Sequence, residues 1–152
     1  MATDTPEDLD ALVANEMSAE EIERALRDHG TGVLSLARAG ESYAIPVSYG
    51  YDGERCYFVF VGYHEPSTKA EFAETTERAT LTVYDAPGID EWHSVILRGP
   101  LRKLTTAEDW DAANEAIEAN AWYPSLFRNA DPRGNVDLWA LDPEEATGYT
   151  SR

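Results

Sequence analysis

The sequence predicts a mainly β-structured chain in which an antiparallel sheet closes into a barrel flanked by helices. Predicted strands outnumber predicted helices by about two to one, as in closed antiparallel sheets. Short turns join neighbouring strands, which favours antiparallel pairing. The longest predicted strand, Trp92–Leu104, contains Gly99-Pro100, and such an interruption lets a barrel strand turn a corner.

The N-terminal part of the chain divides at Ser18. Met1–Met17 is acidic and has no aromatic residue, so we expect a mobile leader followed by a single domain over residues 18–152. Ser18 and Glu21 have the spacing of a capping box, in which each side chain accepts a hydrogen bond from the other residue's backbone N–H. This motif predicts a helix that ends at Gly30.

The rest of the chain alternates between strands and two further helices. β-branched and aromatic residues predict strands at Val33–Ala37, Ser42–Tyr49, Arg55–Val61, Ala79–Asp85, Trp92–Leu104 and Val136–Leu141. Helix-start signals predict one helix at Ser67–Thr75 and another from Thr105 to Ala119. The aromatic segment 122–134 is predicted to be irregular.

Charge is the second strong signal in the sequence. The formal net charge is −17, and the two lysines are Lys69 and Lys103. Such like-sign charge repels itself in dilute salt, whereas molar salt screens charges beyond about 3 Å. The composition is typical of a haloarchaeal protein, with an ordinary acidic mesophilic protein as the alternative. The chain has no basic stripe that would bind nucleic acid.

The sequence lacks the signals of secretion, of membrane insertion and of several common catalytic or metal sites. The acidic N-terminus does not resemble a signal peptide, and no apolar run approaches the ~20 residues that span a membrane, so we expect a cytoplasmic protein. Cys56 is the only cysteine, and we expect a buried, inert thiol. The three histidines, His29, His64 and His93, lack metal-ligand spacing, so no metal site is predicted. Nucleophile-elbow, P-loop and dinucleotide motifs are also missing.

Lys69 is a candidate phosphate ligand. It follows Ser67 and Thr68 at a predicted helix start, where free N–H groups, hydroxyls and a cation all favour a phosphate dianion. The alternative is that Ser67 and Thr68 only cap the helix and that Lys69 is solvated.

Pro46 and the segment Trp92–Val95 are further candidates. Proline removes one ladder donor, so Pro46 belongs at a strand edge or opposite a partner that is not a strand, such as a planar ring. Alternation places Trp92 and Ser94 on one face of their strand and His93 on the other. A strand histidine without a paired carboxylate is more often structural than catalytic.

These segments, in their order along the chain, resemble the FMN-binding split barrel of the pyridoxamine 5'-phosphate oxidase-like superfamily. The resemblance is carried by Pro46–Gly53, Trp92–Leu101 and the ending Leu138–Gly148, and it covers about Ser18 to Gly148. It implies a six-stranded antiparallel split β-barrel of Greek-key type. It also implies a homodimer that holds FMN at the subunit interface.

The resemblance further implies roles for individual residues. The Pro46-Val47-Ser48 strand would meet the isoalloxazine ring, Ser67, Thr68 and Lys69 would hold the phosphate, and Trp92 with Ser94 would complete that pocket. Aromatic residues of a second subunit, such as Trp122 or Tyr123, would cover the ring.

One departure bears on the activity. True pyridoxamine-phosphate oxidases follow a late tryptophan with an arginine-histidine-arginine pattern, whereas here Trp139 is followed by Ala140–Pro143. The resemblance therefore implies a flavin-dependent oxidoreductase of unassigned substrate, with NAD(P)H as one candidate electron donor. A non-catalytic flavin-storage protein and a flavin-free regulatory barrel that binds a small ligand remain alternatives, as do deazaflavin and haem in place of FMN.

The charge predicts a strong dependence of stability on salt. Because the net charge of −17 must be screened, the melting temperature should rise by several degrees or more between about 0.1 M and about 2 M KCl. Thermal unfolding followed by circular dichroism measures this. A melting temperature that is constant over that range would contradict the halophilic interpretation.

Overall fold

A computed structural model describes residues 14–61, 68–120 and 136–151. Strands in this part of the chain are β1 Asn15–Glu16, β2 Thr31–Arg38, β3 Glu41–Tyr51, β4 Cys56–Val61, β5 Arg78–Gly88, β6 Glu91–Lys103, β7 Val136–Leu141 and β8 Glu145–Thr150. Helices in the same part are α1 Ala19–Asp28, α2 Thr68–Thr75 and α3 Ala107–Ala119. Among these described residues, no helix is long and apolar enough to cross a membrane.

Six strands close into an antiparallel barrel. Their order is β6-β5-β2-β3-β4-β7, and β7 pairs back onto β6 to complete the ring. β8 pairs with another part of β6, and β1 pairs with β8, so these two strands extend the sheet beyond the ring. The six-stranded antiparallel barrel expected from the sequence is therefore confirmed.

Strand β6 closes the barrel by changing partners at its centre. Residues 93–98 pair with β8, whereas residues 101–103 pair with β7. Between them, the backbone N–H of Asp142 donates to the Pro100 carbonyl at 3.1 Å, and that of Glu144 donates to the Arg98 carbonyl at 2.8 Å. A Cβ on Gly99 would collide with the Asp142 carbonyl, so glycine is required for this close approach. The Gly99-Pro100 interruption thus lies where β6 passes from one partner strand to the other.

Buried side chains form two clusters, one inside the barrel and one outside it. Phe58, Leu81, Val95 and Leu141 are among the residues that fill the interior. On the outside, α3 packs against β3, β4 and β7, and its residues Ala113, Ala116 and Ile117 form a cluster with Tyr57, Leu138 and Ala140. The consecutive residues Leu138–Leu141 are therefore all buried, because the two faces of β7 belong to different clusters.

Helix α1 closes one end of the barrel. The predicted capping box is present, with the Ser18 N–H donating to Glu21 Oε1 at 3.1 Å and the Glu21 N–H donating to Ser18 Oγ at 3.2 Å. The first of these bonds lowers the pKa of Glu21. Ile22 and Leu26 join the interior cluster, and the Tyr49 hydroxyl donates to the Leu26 carbonyl at 2.8 Å.

The structure differs from the sequence-based expectation at both ends of the described chain. Asn15 and Glu16, assigned to the leader, instead form a strand with Thr150 and Tyr149. The residues after Leu141 form β8, which was not predicted. Both strands depend on backbone pairing with distant partners rather than on an apolar pattern of their own. The rest of the predicted leader, residues 1–13, lies outside the described residues.

Substitution of Gly99 tests the closure of the barrel. Gly99→Ala forces a methyl group into the Asp142 backbone, and overpacking of this kind costs about 1–3 kcal/mol of unfolding free energy. Gly88→Ala is the matched control, because a Cβ at Gly88 meets nothing within 4 Å. Urea denaturation of both variants in molar KCl measures the difference. Equal stabilities would mean that β6 does not require glycine at the crossing.

Candidate functional site

Strands β3 and β4 separate along most of their length, and we call this opening the split. β3 pairs with β2 over residues 41–48, but it pairs with β4 only at residues 49–51. Residues 41–48 of β3 therefore pair with β2 on one side only. Their other edge has no strand partner among the described residues. Pro46 lies at this edge, as its missing N–H predicts.

The polar backbone groups of β3 point into the split. A two-residue turn with positive φ at Ala39 and Gly40 joins β2 to β3, which makes Arg38 and Glu41 a hydrogen-bonded pair. Alternation along the ladder then makes Val33 and Pro46 a non-hydrogen-bonded pair. The Pro46 carbonyl, and the N–H and carbonyl groups of Ala44 and Ser48, consequently face away from β2.

The side chains at the split leave this backbone accessible. Tyr43, Ile45 and Val47 pack against the interior cluster, whereas Ala44 and Pro46 are exposed on the outer face. Ser48 shares their outer face and is half-buried. Because the outer side chains are small, a planar ligand can approach the backbone edge without a steric barrier from β3.

Lys69 lies beside the split, in the first turn of α2. Its Nζ is 5.6 Å from the centre of the Phe60 ring on β4. The β3–β4 register, continued past Tyr49 and Phe58, places Phe60 level with Val47. The structure therefore brings Lys69 to the level of the predicted Pro46–Ser48 strand. Thr68 is exposed in the same turn, and Ser67 lies outside the described residues.

Contacts with the β2–β3 hairpin hold α2 in this position. The Phe72 ring stacks on Tyr43 with centroids 5.2 Å apart, and the Arg38 guanidinium lies 4.9 Å from the Phe72 centroid. After the helix, the Ala37 N–H donates to Thr76 Oγ1 at 3.1 Å. Lys69 is thus presented by a helix that is anchored on the strand that forms the split.

The two lysines differ in their surroundings. Lys103 Nζ is 3.5 Å from Asp137 Oδ1 in an exposed pair. Among the described residues, Lys69 has no carboxylate within ion-pair distance, and its ammonium lies against the Phe60 ring. Phe60 also lies 6.0 Å from Trp139, whose buried indole N–H has no hydrogen-bond partner among the described residues. No sequence pattern indicates this buried donor, because its burial depends on the closed barrel.

Trp92 and Ser94 lie on a different part of the barrel. β5 and β2 separate β6 from β3, and three strand spacings correspond to about 14 Å along the sheet. Ser94 is on the outer face with Tyr84 and Tyr149, its partners on the neighbouring strands. One chain therefore does not bring Trp92 and Ser94 beside Pro46–Ser48, and their role in binding stays a prediction.

The cysteine and two of the histidines lie in surroundings that indicate a structural role. Cys56 is fully buried, and burial raises the pKa of its thiol far above the usual range, as expected for an inert cysteine. The Nε2 atoms of His29 and His93 are 2.8 Å apart, a contact between residues 64 positions apart that sequence reasoning missed. The described residues contain no cluster of three or more side chains able to hold a metal ion.

The fold and the split define the class of this protein: it is a split barrel with a six-stranded closed sheet. A family model described as pyridoxamine 5'-phosphate oxidase matches residues 18–150. The chain therefore belongs to the pyridoxamine 5'-phosphate oxidase family. A comparison with curated proteins found no match.

Solved structures share this fold at low sequence identity. An FAD-binding protein from Mesorhizobium loti has a TM-score of 0.75 at 18% identity, with 92% of this chain and 99% of that chain covered. The FAD binding protein from Mycobacterium smegmatis has a TM-score of 0.66 at 17% identity, with 92% and 98% covered. A heme binding protein from Mycobacterium smegmatis has a TM-score of 0.71 at 17% identity, with 88% and 54% covered.

Proposed function

We propose that this protein binds FMN at the split and acts as a flavin-dependent oxidoreductase. The observation that carries the proposal is the position of Lys69. An anchored helix start holds a cation without an ion-pair partner among the described residues beside an unpaired strand edge. Membership of the pyridoxamine 5'-phosphate oxidase family and the FAD-binding proteins of the same fold support a flavin, and the heme binding protein of the same fold makes haem the alternative ligand.

The phosphate of FMN fits the start of α2. Free N–H groups at a helix N-terminus and a nearby ammonium favour a dianion. Thr68 is exposed in the first turn and adds a hydroxyl donor. The sequence also places Ser67 there, one residue before the described helix. Phosphate binding gives Lys69 the anionic partner that the described residues do not provide.

The ring system of FMN fits the edge of β3. An isoalloxazine ring has a polar edge of carbonyl and N–H groups and an apolar face. The outward-facing backbone groups of Ala44 and Ser48 and the Pro46 carbonyl supply complementary donors and acceptors. When bound, the flavin supplies the redox chemistry, and the chain binds and orients it. Val47 shapes the site from the interior side through its packing on the core.

The sequence after Trp139 disfavours a vitamin phosphate as the substrate of this oxidoreductase. Trp139 is buried in the interior, and Ala140 and Leu141 after it are buried too. These residues leave no arginine or histidine where pyridoxamine-phosphate oxidases carry the pattern that grips the substrate phosphate. NAD(P)H-dependent bleaching of the flavin absorbance distinguishes an oxidoreductase from a flavin-storage protein.

We also propose a homodimer, because the site is incomplete in one chain. A row of directly opposed residues crosses five strands on the outer face: Pro46, Val33, Thr82, Ile96 and Thr147. None of them is charged, although the chain carries 29 acidic residues. A second copy with the same charge meets least repulsion there, especially in molar salt. A pair of copies related by a two-fold axis lets β6 of one chain approach β3 of the other.

The exposed apolar residues on this face support the same arrangement. Tyr84 is 64% exposed, Tyr149 43% and Ile96 39%, and the three lie on adjacent strands. Together with the uncharged row they form one surface, which we call the neutral face. Trp92 and Ser94 lie on β6 beside it, so a second copy is the means by which they reach a flavin bound at the split.

Lys69→Ala should weaken FMN binding more than Lys103→Ala. Loss of a charge-assisted contact to phosphate costs about 1.5–3 kcal/mol, or about tenfold to a hundredfold in Kd. Lys103 lies in an exposed ion pair on β6 and should matter little. Fluorescence titration with FMN in molar KCl compares the two variants with the unmodified protein. Equal Kd values would place the phosphate elsewhere, and no binding by the unmodified protein would overturn the flavin assignment.

A charge on the neutral face should separate the dimer. Ile96→Asp places a carboxylate opposite the second copy, whereas Ile89→Asp adds the same charge at the exposed tip between β5 and β6. Light scattering in molar KCl should report a dimer for the unmodified protein and for Ile89→Asp, and a monomer for Ile96→Asp. A monomeric unmodified protein would overturn the dimer, and a dimeric Ile96→Asp would exclude this face.

A further inference from the structure

Two histidines from distant parts of the chain meet at the end of the barrel. His29 follows the last residue of α1, and His93 lies near the start of β6. Their Nε2 atoms are 2.8 Å apart, and both side chains are half-buried. They are two of the three histidines in the sequence, so the contact joins most of the chain's imidazole groups in one place.

The rings meet head to head. Their centroids are 5.0 Å apart, close to the greatest separation that two imidazoles with Nε2 atoms 2.8 Å apart can have. The two Nε2 atoms therefore lie nearly on the line between the ring centres. This is the geometry of a linear N–H···N hydrogen bond, in which one ring donates and the other must present a lone pair.

The hydrogen bond fastens α1 to the barrel. α1 contributes Ile22, Ala25 and Leu26 to the interior cluster. Directly after His29, the Gly30 carbonyl accepts from the Tyr49 N–H at 2.9 Å, which starts the β2–β3 ladder. The pair thus lies where the helix that closes the barrel passes into the first strand of the ring. Tyr49 belongs to β3, so the strand that forms the split is hydrogen-bonded to the residue that follows His29.

The surroundings of the pair are mostly acidic. A cleft of about 200 Å³ beside His93 is lined by Glu21, Arg24 and Asp28 of α1 and by Thr150 of β8. On β5, Asp85 is directly opposite His93 in the ladder. On β6 itself, Glu91 lies two residues away on the same side of the strand. The carboxylates offset part of the repulsion between two imidazolium rings, but they do not restore a lone pair to either Nε2 atom.

We propose that the His29–His93 pair is an acid-sensitive latch for α1. When both rings are neutral, or when only one of them is protonated, one Nε2 can donate and the other can accept. The end of α1 then stays attached to β6. With both rings protonated, neither Nε2 has a lone pair, so the bond breaks and the end of α1 is released. The bond breaks because no lone pair is left to accept a proton, and not because an electrostatic attraction is weakened. Screening by molar salt therefore does not abolish the release of α1.

Hydrogen–deuterium exchange in about 2 M KCl at about pH 7.5 and about pH 5.0 tests the latch, because most carboxylates remain ionised at both pH values. After correction for intrinsic rates, protection of the α1 amides at residues 22–28 should fall about fivefold or more at the lower pH, as expected for one lost hydrogen bond. Protection of β5 around Leu81 and Val83, which are fully buried, should stay constant.

His93→Gln should remove this pH dependence, because an amide keeps a donor and an acceptor without titrating. His29→Gln makes the same exchange from the helix side and is used if His93→Gln does not fold. His64→Gln, which changes the third histidine, should keep the dependence of the unmodified protein. Unchanged α1 protection in the unmodified protein, or an equal fall in either pair variant, would overturn the latch.

Discussion

The barrel depends on the close approach of two backbones at Gly99. There β6 leaves β8 and takes β7 as its partner, and the segment Asp142–Glu144 passes between the two pairings. Any side chain on Gly99 would occupy the space of the Asp142 carbonyl. One strand can therefore belong both to the closed ring and to the sheet that extends beyond it. The positions of the split and of the neutral face follow from this closure.

Features that are encoded locally were predicted correctly from the sequence. The capping box at Ser18 and the hairpin turn before β3 each depend on a few adjacent residues whose conformational preferences act in any context. β1 and β8 could not be predicted, because their residues lack an apolar pattern and become strands only beside β6 and each other. Burial of both faces of β7 likewise required knowledge of where α3 packs.

The candidate site was predictable as chemistry but not as an assembly. The sequence singled out Pro46 and Lys69 through a missing donor and a rare cation, and the structure places both at the split. The sequence does not indicate that two strands separate Ser94 from Pro46, because strand order is set by long-range pairing. A closed barrel satisfies nearly all of its backbone internally. The split is where that rule is relaxed, and it leaves main-chain donors and acceptors open to another molecule.

The position of α3 gives the molecule a front and a back. The helix covers parts of β3, β4 and β7 and presents Glu108, Asp111, Glu115 and Glu118 to solvent, whereas another wall carries the uncharged row of the neutral face. The two walls therefore differ in local charge, and the protein is electrically asymmetric. In molar salt this asymmetry acts only within about 3 Å of the surface, so the acidic wall disfavours close contact with another acidic molecule and the uncharged wall permits it.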